Sequence, residues 1–226
     1  MRPSPLFLTL AAGVVGLCGT PAGAADPERN GPSFDCSRAE TDVEKAICAS
    51  PALSSLDGQI AIRYRALLEG LDMRSAEKLA QDQKWFIEAR NRLFADASPA
   101  ARIDMLRDRL SFLNRTGFSA PAGVEGQWRN AAGEITITRD PAGGLTMTAN
   151  AAEPSSGRWV CDATGRVEAD GTTAWTATTT DPAGRLMLTR DGAALEVQEP
   201  QGRSSPFCGL NGSLAGSYFR LGAAVE

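Results

Sequence analysis

The side chains of this sequence that could carry chemistry are mainly carboxylates and cysteines, because its 226 residues include no histidine. Paired carboxylates at Asp42 and Glu44, and at Asp104 and Asp108, are of the type that cleaves glycosidic bonds. Their positions favour a helix cap for the first pair and a solvated helix face for the second. There is no Ser-His-Asp or Cys-His arrangement, and no glycine-rich nucleotide motif. The sequence therefore predicts no catalytic residues and no enzyme.

The first 24 residues have the composition of a secretory signal peptide. Arg2 supplies the charge, residues 6–17 form an apolar run, and residues 22–24 form a small-residue cleavage site. The apolar run is too short for a permanent membrane span. Leu17 stands before Cys18 where a lipoprotein signal requires a small residue. We expect a cleaved bacterial export signal, no lipid anchor, and a periplasmic or secreted protein.

The mature chain is mildly acidic. Removing residues 1–24 removes one of 23 basic residues and none of the 27 acidic ones, which leaves 22 against 27 and a net charge of −5. This charge argues against nucleic acid or an anionic membrane surface as a partner. It suits a basic protein partner, although the simpler interpretation, which we favour here, is that a mildly acidic exported protein is just soluble.

The first half of the mature chain has helical periodicity. Thr41-x-x-Glu44 is a capping box, and the Ser-Pro pairs at Ser50 and Ser98 are helix starts with serine as N-cap and proline in the first turn. Gly117 is expected to close the last helix. The resulting small antiparallel bundle has four predicted helices, at 42–49, 51–69, 74–95 and 99–115.

Beyond residue 124 the apolar residues alternate, which indicates strands. Turns are predicted at 140–143 and 181–184, both with the sequence DPAG, and a tight hairpin at Asp191-Gly192. About eight short strands with regular turns are typical of an antiparallel sandwich or barrel. Besides one around Trp128, strands are predicted at 134–139, 145–148, 159–161, 174–178, 186–188, 195–197 and 216–221.

The change of period at a Gly/Pro-rich linker predicts an α+β protein of two domains. The expected boundaries are a signal peptide at 1–24, a helical domain at 25–116, a linker at 117–123 and an antiparallel β domain at 124–226.

Four cysteines remain after export, and an even number in an exported chain implies two disulfides. We choose the pairing Cys36–Cys48 and Cys161–Cys208 because each bridge then lies within one domain. A continuous helix would place the first pair about 18 Å apart, whereas a disulfide needs roughly 4.4–6.8 Å. The chain must therefore double back before the helix that starts at Thr41. No Cys-x-x-Cys spacing and no histidine are present, so neither zinc nor another cofactor is predicted.

The helical segment resembles a known family. The shared positions include Asp35-Cys36-Ser37, Glu44 to Cys48, Leu56-Asp57 and Tyr64, followed by Gln83, Phe86, Arg90 and Asn91 at the spacing of a family helix. Together they resemble the N-terminal domain of the LprI-type lysozyme inhibitor family of exported bacterial proteins, over about residues 33–113. The family cysteine that usually follows is Leu93 here, and its partner is also absent, which is consistent with the loss of one whole bridge.

Three features near this resemblance have two interpretations each. Arg90 and Asn91 could contact a partner, or Arg90 could pair with Asp57 across the bundle. Some β-barrel lysozyme inhibitors insert a Ser-Gly-x-x-Tyr loop into the enzyme cleft, and Gly216-Ser217-Tyr218 is a similar but shifted sequence that also fits a tight turn into the last strand. Finally, three tryptophans could stack on sugars or belong to the β core; they are Trp128, Trp159 and Trp175.

The resemblance implies an exported, non-enzymatic binding protein that inhibits lysozyme or another cell-wall hydrolase by occupying its cleft. The alternative is a structural or accessory cell-envelope protein that binds another protein or a glycan without inhibition. Fold alone does not separate the two.

Overall fold

The structure is a computed structural model that describes residues 31–119, 122–180, 183–200 and 205–223; the predicted signal peptide, Leu17 and Cys18 lie outside these residues. A 3-10 turn at Cys36–Arg38 comes first. The four predicted helices are confirmed, with ends displaced by at most two residues. They are α1 (Asp42–Ala49), α2 (Pro51–Gly70), α3 (Met73–Leu93) and α4 (Pro99–Arg115).

Local capping signals explain where these helices begin. The Thr41 hydroxyl accepts a hydrogen bond from the Glu44 backbone N–H at 3.2 Å, and the Glu44 carboxylate accepts one from the Thr41 N–H at 2.9 Å. This is the predicted capping box, and its hydrogen bonds lower the pKa of Glu44, chiefly the one from the Thr41 backbone. The hydroxyls of Ser50 and Ser98 cap α2 and α4 in the predicted way.

The predicted glycine cap at the end of α4 is wrong. The helix ends at Thr116, which has φ −70° and ψ 120°, and Gly117 is not among the residues with positive φ. The reason is a tertiary contact: Thr116 forms an isolated antiparallel bridge with Leu221, near the end of the described chain. The helical part is thereby joined to the β part at the point where α4 stops.

Both disulfides are present with the chosen pairing. Cys36 and Cys48 lie with Cα atoms 5.7 Å apart, because the 3-10 turn reverses the chain before α1 begins. Cys161 and Cys208 join the fourth strand to the loop before the last strand.

Eight antiparallel strands form a closed barrel in sequence order, and β1 pairs with β8 to close it. The barrel alternative of the sequence prediction is thus confirmed, and the fold is α+β. The strands are β1 (Gly126–Arg129), β2 (Gly133–Arg139), β3 (Leu145–Ala152), β4 (Val160–Ala169), β5 (Ala174–Thr180), β6 (Ala183–Asp191), β7 (Ala194–Gln198) and β8 (Gly216–Arg220).

Strands β3, β4 and β6 are longer than their hydrophobic pattern predicts. β3 and β4 pair along eight residues each, from Leu145 opposite Val167 to Ala152 opposite Val160. Their inward positions include Ala149 and Ala163, which are buried but small. Alanine is only weakly apolar, so these residues do not show the alternation of apolar and polar side chains by which a strand is predicted. The predicted bounds of β3 and β4 are therefore too short.

Two of the three predicted turns can be examined in full. Residues 140–144 form the first one, where the Asp140 carboxylate accepts hydrogen bonds from the N–H groups of Ala142 and Gly144. Gly192 has φ +64° in the hairpin between β6 and β7, as its Asp-Gly sequence predicts. In the second DPAG sequence Asp181 and Pro182 lie outside the described residues, and its last two residues belong to β6.

The helical part and the barrel share an apolar cluster. Tyr218 of β8 is in the barrel core, whereas the next residue, Phe219, faces outward and belongs to the cluster of the helices. There its ring packs edge-on against Phe112 of α4, with centroids 6.4 Å apart. Ala193 and Ala194 of the β6–β7 hairpin join the same cluster. One side of the barrel wall therefore completes the core of the helical bundle.

Candidate functional site

The family-like residues on α2 and α3 converge on a buried carboxylate. Asp57 is 6% exposed, and its Oδ2 accepts hydrogen bonds from the Ser33 N–H at 2.9 Å and the Ser33 hydroxyl at 2.6 Å. Its Oδ1 accepts one from Arg90 Nη1 at 3.3 Å. The interpretation of Arg90 as the partner of Asp57 across the bundle is confirmed.

Arg90 also forms hydrogen bonds with its neighbour in sequence, Asn91. Its Nε and Nη2 donate to Asn91 Oδ1 at 3.2 and 3.0 Å, so the Asn91 amide is held by its oxygen. Burial lowers the pKa of Arg90, while the carboxylates of Asp57 and Glu44 act in the opposite direction. We call the chain Ser33–Asp57–Arg90–Asn91 the carboxylate relay.

A groove of about 240 Å³ lies over the relay. Asp57 and Arg90 line it together with Tyr64 and Gln83, so several of the family-like residues meet at one place. Burial raises the pKa of Tyr64, and the charge of Arg109 acts against this. The groove can offer hydrogen bonds through these side chains. Ser33 also lines it, and its hydroxyl donates to Asp57, whose other oxygen accepts from Arg90.

The remaining family-like residue on α3, Phe86, supports a buried arginine that the sequence analysis missed. Arg109 is 3% exposed and lies over the Phe86 ring, with its guanidinium carbon 5.0 Å from the centroid. Its Nε donates to Gln83 Oε1 at 2.9 Å and its Nη1 to Asp82 Oδ2 at 2.6 Å. A usable signal existed: Arg109 stands between Leu106 and Leu113 on the apolar stripe of α4.

The comparison with protein families agrees with this geometry. Residues 35–121 match the family model described as Lysozyme inhibitor LprI. The match covers α1 to α4 and every family-like residue of the relay, and it is less than half of the chain. None of the curated proteins and none of the solved structures is a match. The barrel is thus an additional C-terminal part behind an LprI-like helical part.

Ionic contacts tie the LprI-like helical part to the barrel. Asp82 Oδ1 accepts a hydrogen bond from the Ala131 N–H at 2.7 Å, in the turn between β1 and β2. Lys78 of α3 contacts Asp191 and Glu196, both at 2.8 Å. Burial lowers the pKa of Lys78, but its hydrogen bonds with the two carboxylates outweigh burial and leave that pKa raised. The two parts therefore meet through charges as well as through the shared apolar cluster.

The predicted partner-binding loop is only partly available at the surface. Tyr218 is 1% exposed, and its hydroxyl donates to the Leu214 carbonyl at 2.9 Å inside the barrel. Burial raises its pKa. The Ser217 hydroxyl donates to Glu196 at 2.6 Å, and Gly216 opens β8 with φ +150°. This is a turn entering the last strand, and in this fold the tyrosine is not placed to enter a partner's cleft.

The tryptophans of the barrel belong to its core. Trp128 and Trp175 are buried in the barrel core, and Trp159, immediately before β4, is partly buried and packs against that core. The Trp128 indole N–H donates to the Val124 carbonyl at 2.8 Å. The structure supports the core interpretation for all three.

Three of the four paired carboxylates have structural partners. Glu44 serves the capping box, Asp104 pairs with Arg107 on α4, and Asp108 pairs with Arg129 of β1. Within the residues that the structure describes, no group of three or more metal-ligating side chains is arranged around a common point. No helix in this part of the chain combines the length and apolarity needed to cross a membrane.

Proposed function

We propose that the mature protein is an exported, non-enzymatic inhibitor of lysozyme, and that its LprI-like helical part carries the binding surface. The observation that carries the proposal is the match of residues 35–121 to a lysozyme inhibitor family. The position of Tyr218 supports the choice of the helical part, because the one tyrosine of the barrel loop is buried. The two disulfides support export to an oxidising compartment, the periplasm or the exterior.

The charge of the helical part is uneven. Residues 35–115 contain 13 acidic and 13 basic residues, so the net charge of this part is zero. Residues 35–44, which we call the acidic strap, contain four acidic residues and one basic residue, a net charge of −3. Lysozymes are typically basic, so the acidic strap is the part of the bundle best suited to meet one.

The acidic strap is also rigid. The Cys36–Cys48 bridge ties its beginning to α1, and the capping box fixes its end. A preorganised surface loses less conformational entropy on binding than a flexible one. Inhibition in this proposal is steric: the strap covers the enzyme's cleft, and no residue of the inhibitor performs chemistry.

We expect binding to a c-type lysozyme with a Kd of about 1 μM or lower, equivalent to about −8 kcal/mol. Replacing Glu40→Gln and Asp42→Asn together should slow association roughly 2- to 10-fold at low salt, because charge complementarity mainly acts on the on-rate. Both side chains are exposed, and in the described chain neither carboxylate has a hydrogen-bond partner, so the fold should be unaffected.

A matched control is the double variant Glu168→Gln/Asp162→Asn, which makes the same charge change on exposed positions of the barrel. Association kinetics on immobilised lysozyme, measured at two salt concentrations, compare the variants directly. Equal slowing by both pairs would assign the effect to net charge and refute the acidic strap as the docking surface.

A further inference from the structure

A second groove, of about 430 Å³, lies between the start of α1, the end of α3 and the start of α4. Its apolar lining consists of Val43, Ala46, Phe94 and Ala95, and we call it the Arg102 groove after its only arginine. It shares no lining residue with the groove over the carboxylate relay. Its volume falls within the range of small-molecule sites.

Arg102 has no acidic partner among the described residues. Its guanidinium carbon lies 5.6 Å from the centroid of the Phe94 ring, within the range of a cation–π contact. Its Nε is buried and has no hydrogen-bond acceptor in the described chain. The Nε is closed off from the groove as well as from water, so a ligand in the groove would meet the two outer nitrogens, Nη1 and Nη2.

The carboxylate relay supplies a second donor to the same groove. Asn91 lines it, and the Asn91 amide oxygen is already occupied by Arg90. The remaining hydrogen-bonding group of that side chain is its NH₂, which can only donate. Asp57 holds Arg90, and Arg90 holds Asn91, so the relay sets the orientation of this donor.

We propose that the Arg102 groove binds a carboxylate joined to a small apolar group, as at the carboxyl terminus of a short peptide ending in alanine or valine. The guanidinium fork matches the two oxygens of a carboxylate, Asn91 offers a further N–H, and the apolar lining accepts the adjoining side chain. Asp42 also lines the groove, and its charge disfavours a ligand with a second negative charge. The groove adjoins the acidic strap, because residues 41–43 belong to both, but its binding of a peptide acid is measured without lysozyme.

The test is calorimetric titration of the full mature chain with N-acetyl-trialanine and with its C-terminal amide. The acid should bind with a millimolar or lower dissociation constant. The amide should bind roughly 10- to 100-fold more weakly, because it forms no charge-assisted hydrogen bonds with the guanidinium. Equal binding of acid and amide, or no binding of the acid, would overturn the proposal.

Variants assign the site. Arg102→Gln should weaken binding of the acid roughly 10- to 100-fold, whereas Asp42→Asn should strengthen it about 2- to 5-fold by removing a like charge. Arg107→Gln is the control, because Arg107 is exposed on the same helix, pairs with Asp104 and does not line the groove. An unchanged affinity of Arg102→Gln would refute the site. Asp42→Asn tests it through a gain of affinity, which a misfolded variant would not show.

The same variant separates this proposal from the lysozyme proposal. Asp42→Asn is expected to strengthen binding of the peptide acid, and as part of the Glu40/Asp42 pair to slow association with lysozyme. If the peptide acid does not bind, the lysozyme proposal is unaffected. If lysozyme is not inhibited, the proposal of a peptide site is unaffected.

Discussion

Replacing Asp82→Ala is expected to lower the free energy of unfolding by about 3–5 kcal/mol, the usual cost of leaving a buried charge without its partner. Asp82 and Arg109 have side chains only 5% and 3% exposed, and they meet at 2.6 Å. The other contacts of Arg109 are a hydrogen bond from its Nε to Gln83 and two aromatic rings, so Asp82 is the one group in contact with it in the described chain that can balance its charge. The same substitution frees the Ala131 N–H in the barrel.

Asp104→Ala is the matched control for this change. Asp104 also pairs with an arginine of α4, but its side chain is 72% exposed, and such surface pairs contribute about 0–1 kcal/mol. Denaturant unfolding followed by circular dichroism measures both variants. A double variant, Asp82→Leu/Arg109→Met, should recover part of the loss because no buried charge remains. Equal effects of Asp82→Ala and Asp104→Ala would contradict the assigned role of the pair.

Replacing Phe219→Ala should cost about 3–5 kcal/mol, as for other large aromatic side chains in a core. The variant also shows which part of the protein, the helices or the barrel, loses stability. Phe219 belongs to the barrel by sequence, but it is fully buried in the apolar cluster of the helices, against Phe112. We expect helical and barrel signals to shift together, in one unfolding transition.

Phe118→Ala is the control, because Phe118 is 48% exposed beside Arg63 and should contribute about 0.5–1 kcal/mol. Far-ultraviolet circular dichroism reports mainly on the helices. Both variants are made in a Trp85→Phe background, because Trp85 lies on α3 and the other three tryptophans then report on the barrel. If Phe219→Ala shifted the barrel signal and left the helical signal in place, the two parts would be independent domains with boundaries such as 25–116 and 124–226.

The elements that the sequence predicted well are those with local signals. Helix starts at Thr41, Ser50 and Ser98 depend on hydrogen bonds within three residues, so their sequence is sufficient. The Asp57–Arg90 pair was foreseeable because the family-like spacing placed both side chains on facing helices. The hairpin at Gly192 follows from the conformational freedom of glycine.

What the sequence could not predict depends on distant contacts. The partners of Arg109 lie 26 and 27 residues away, and an arginine in an apolar stripe is easily taken for a polar interruption. In β8 the adjacent residues Tyr218 and Phe219 are both apolar and aromatic, so alternation could not decide which one faces inward. The structure places Tyr218 inside the barrel. This burial is the reason why Tyr218 is not a candidate for a surface contact.

The most direct test of the proposed function is a turbidity assay of bacterial cell-wall lysis by a c-type lysozyme, with the purified mature chain added in increasing amounts. We expect lysis to slow as the added protein approaches and exceeds the enzyme concentration. The Glu40/Asp42 variant should inhibit less at low salt, and Tyr218→Phe should inhibit as well as the unaltered chain. An unchanged rate of lysis at tens of micromolar protein in low salt, where about 1 μM affinity would give near-complete occupancy, would contradict the proposed function and favour an accessory envelope protein.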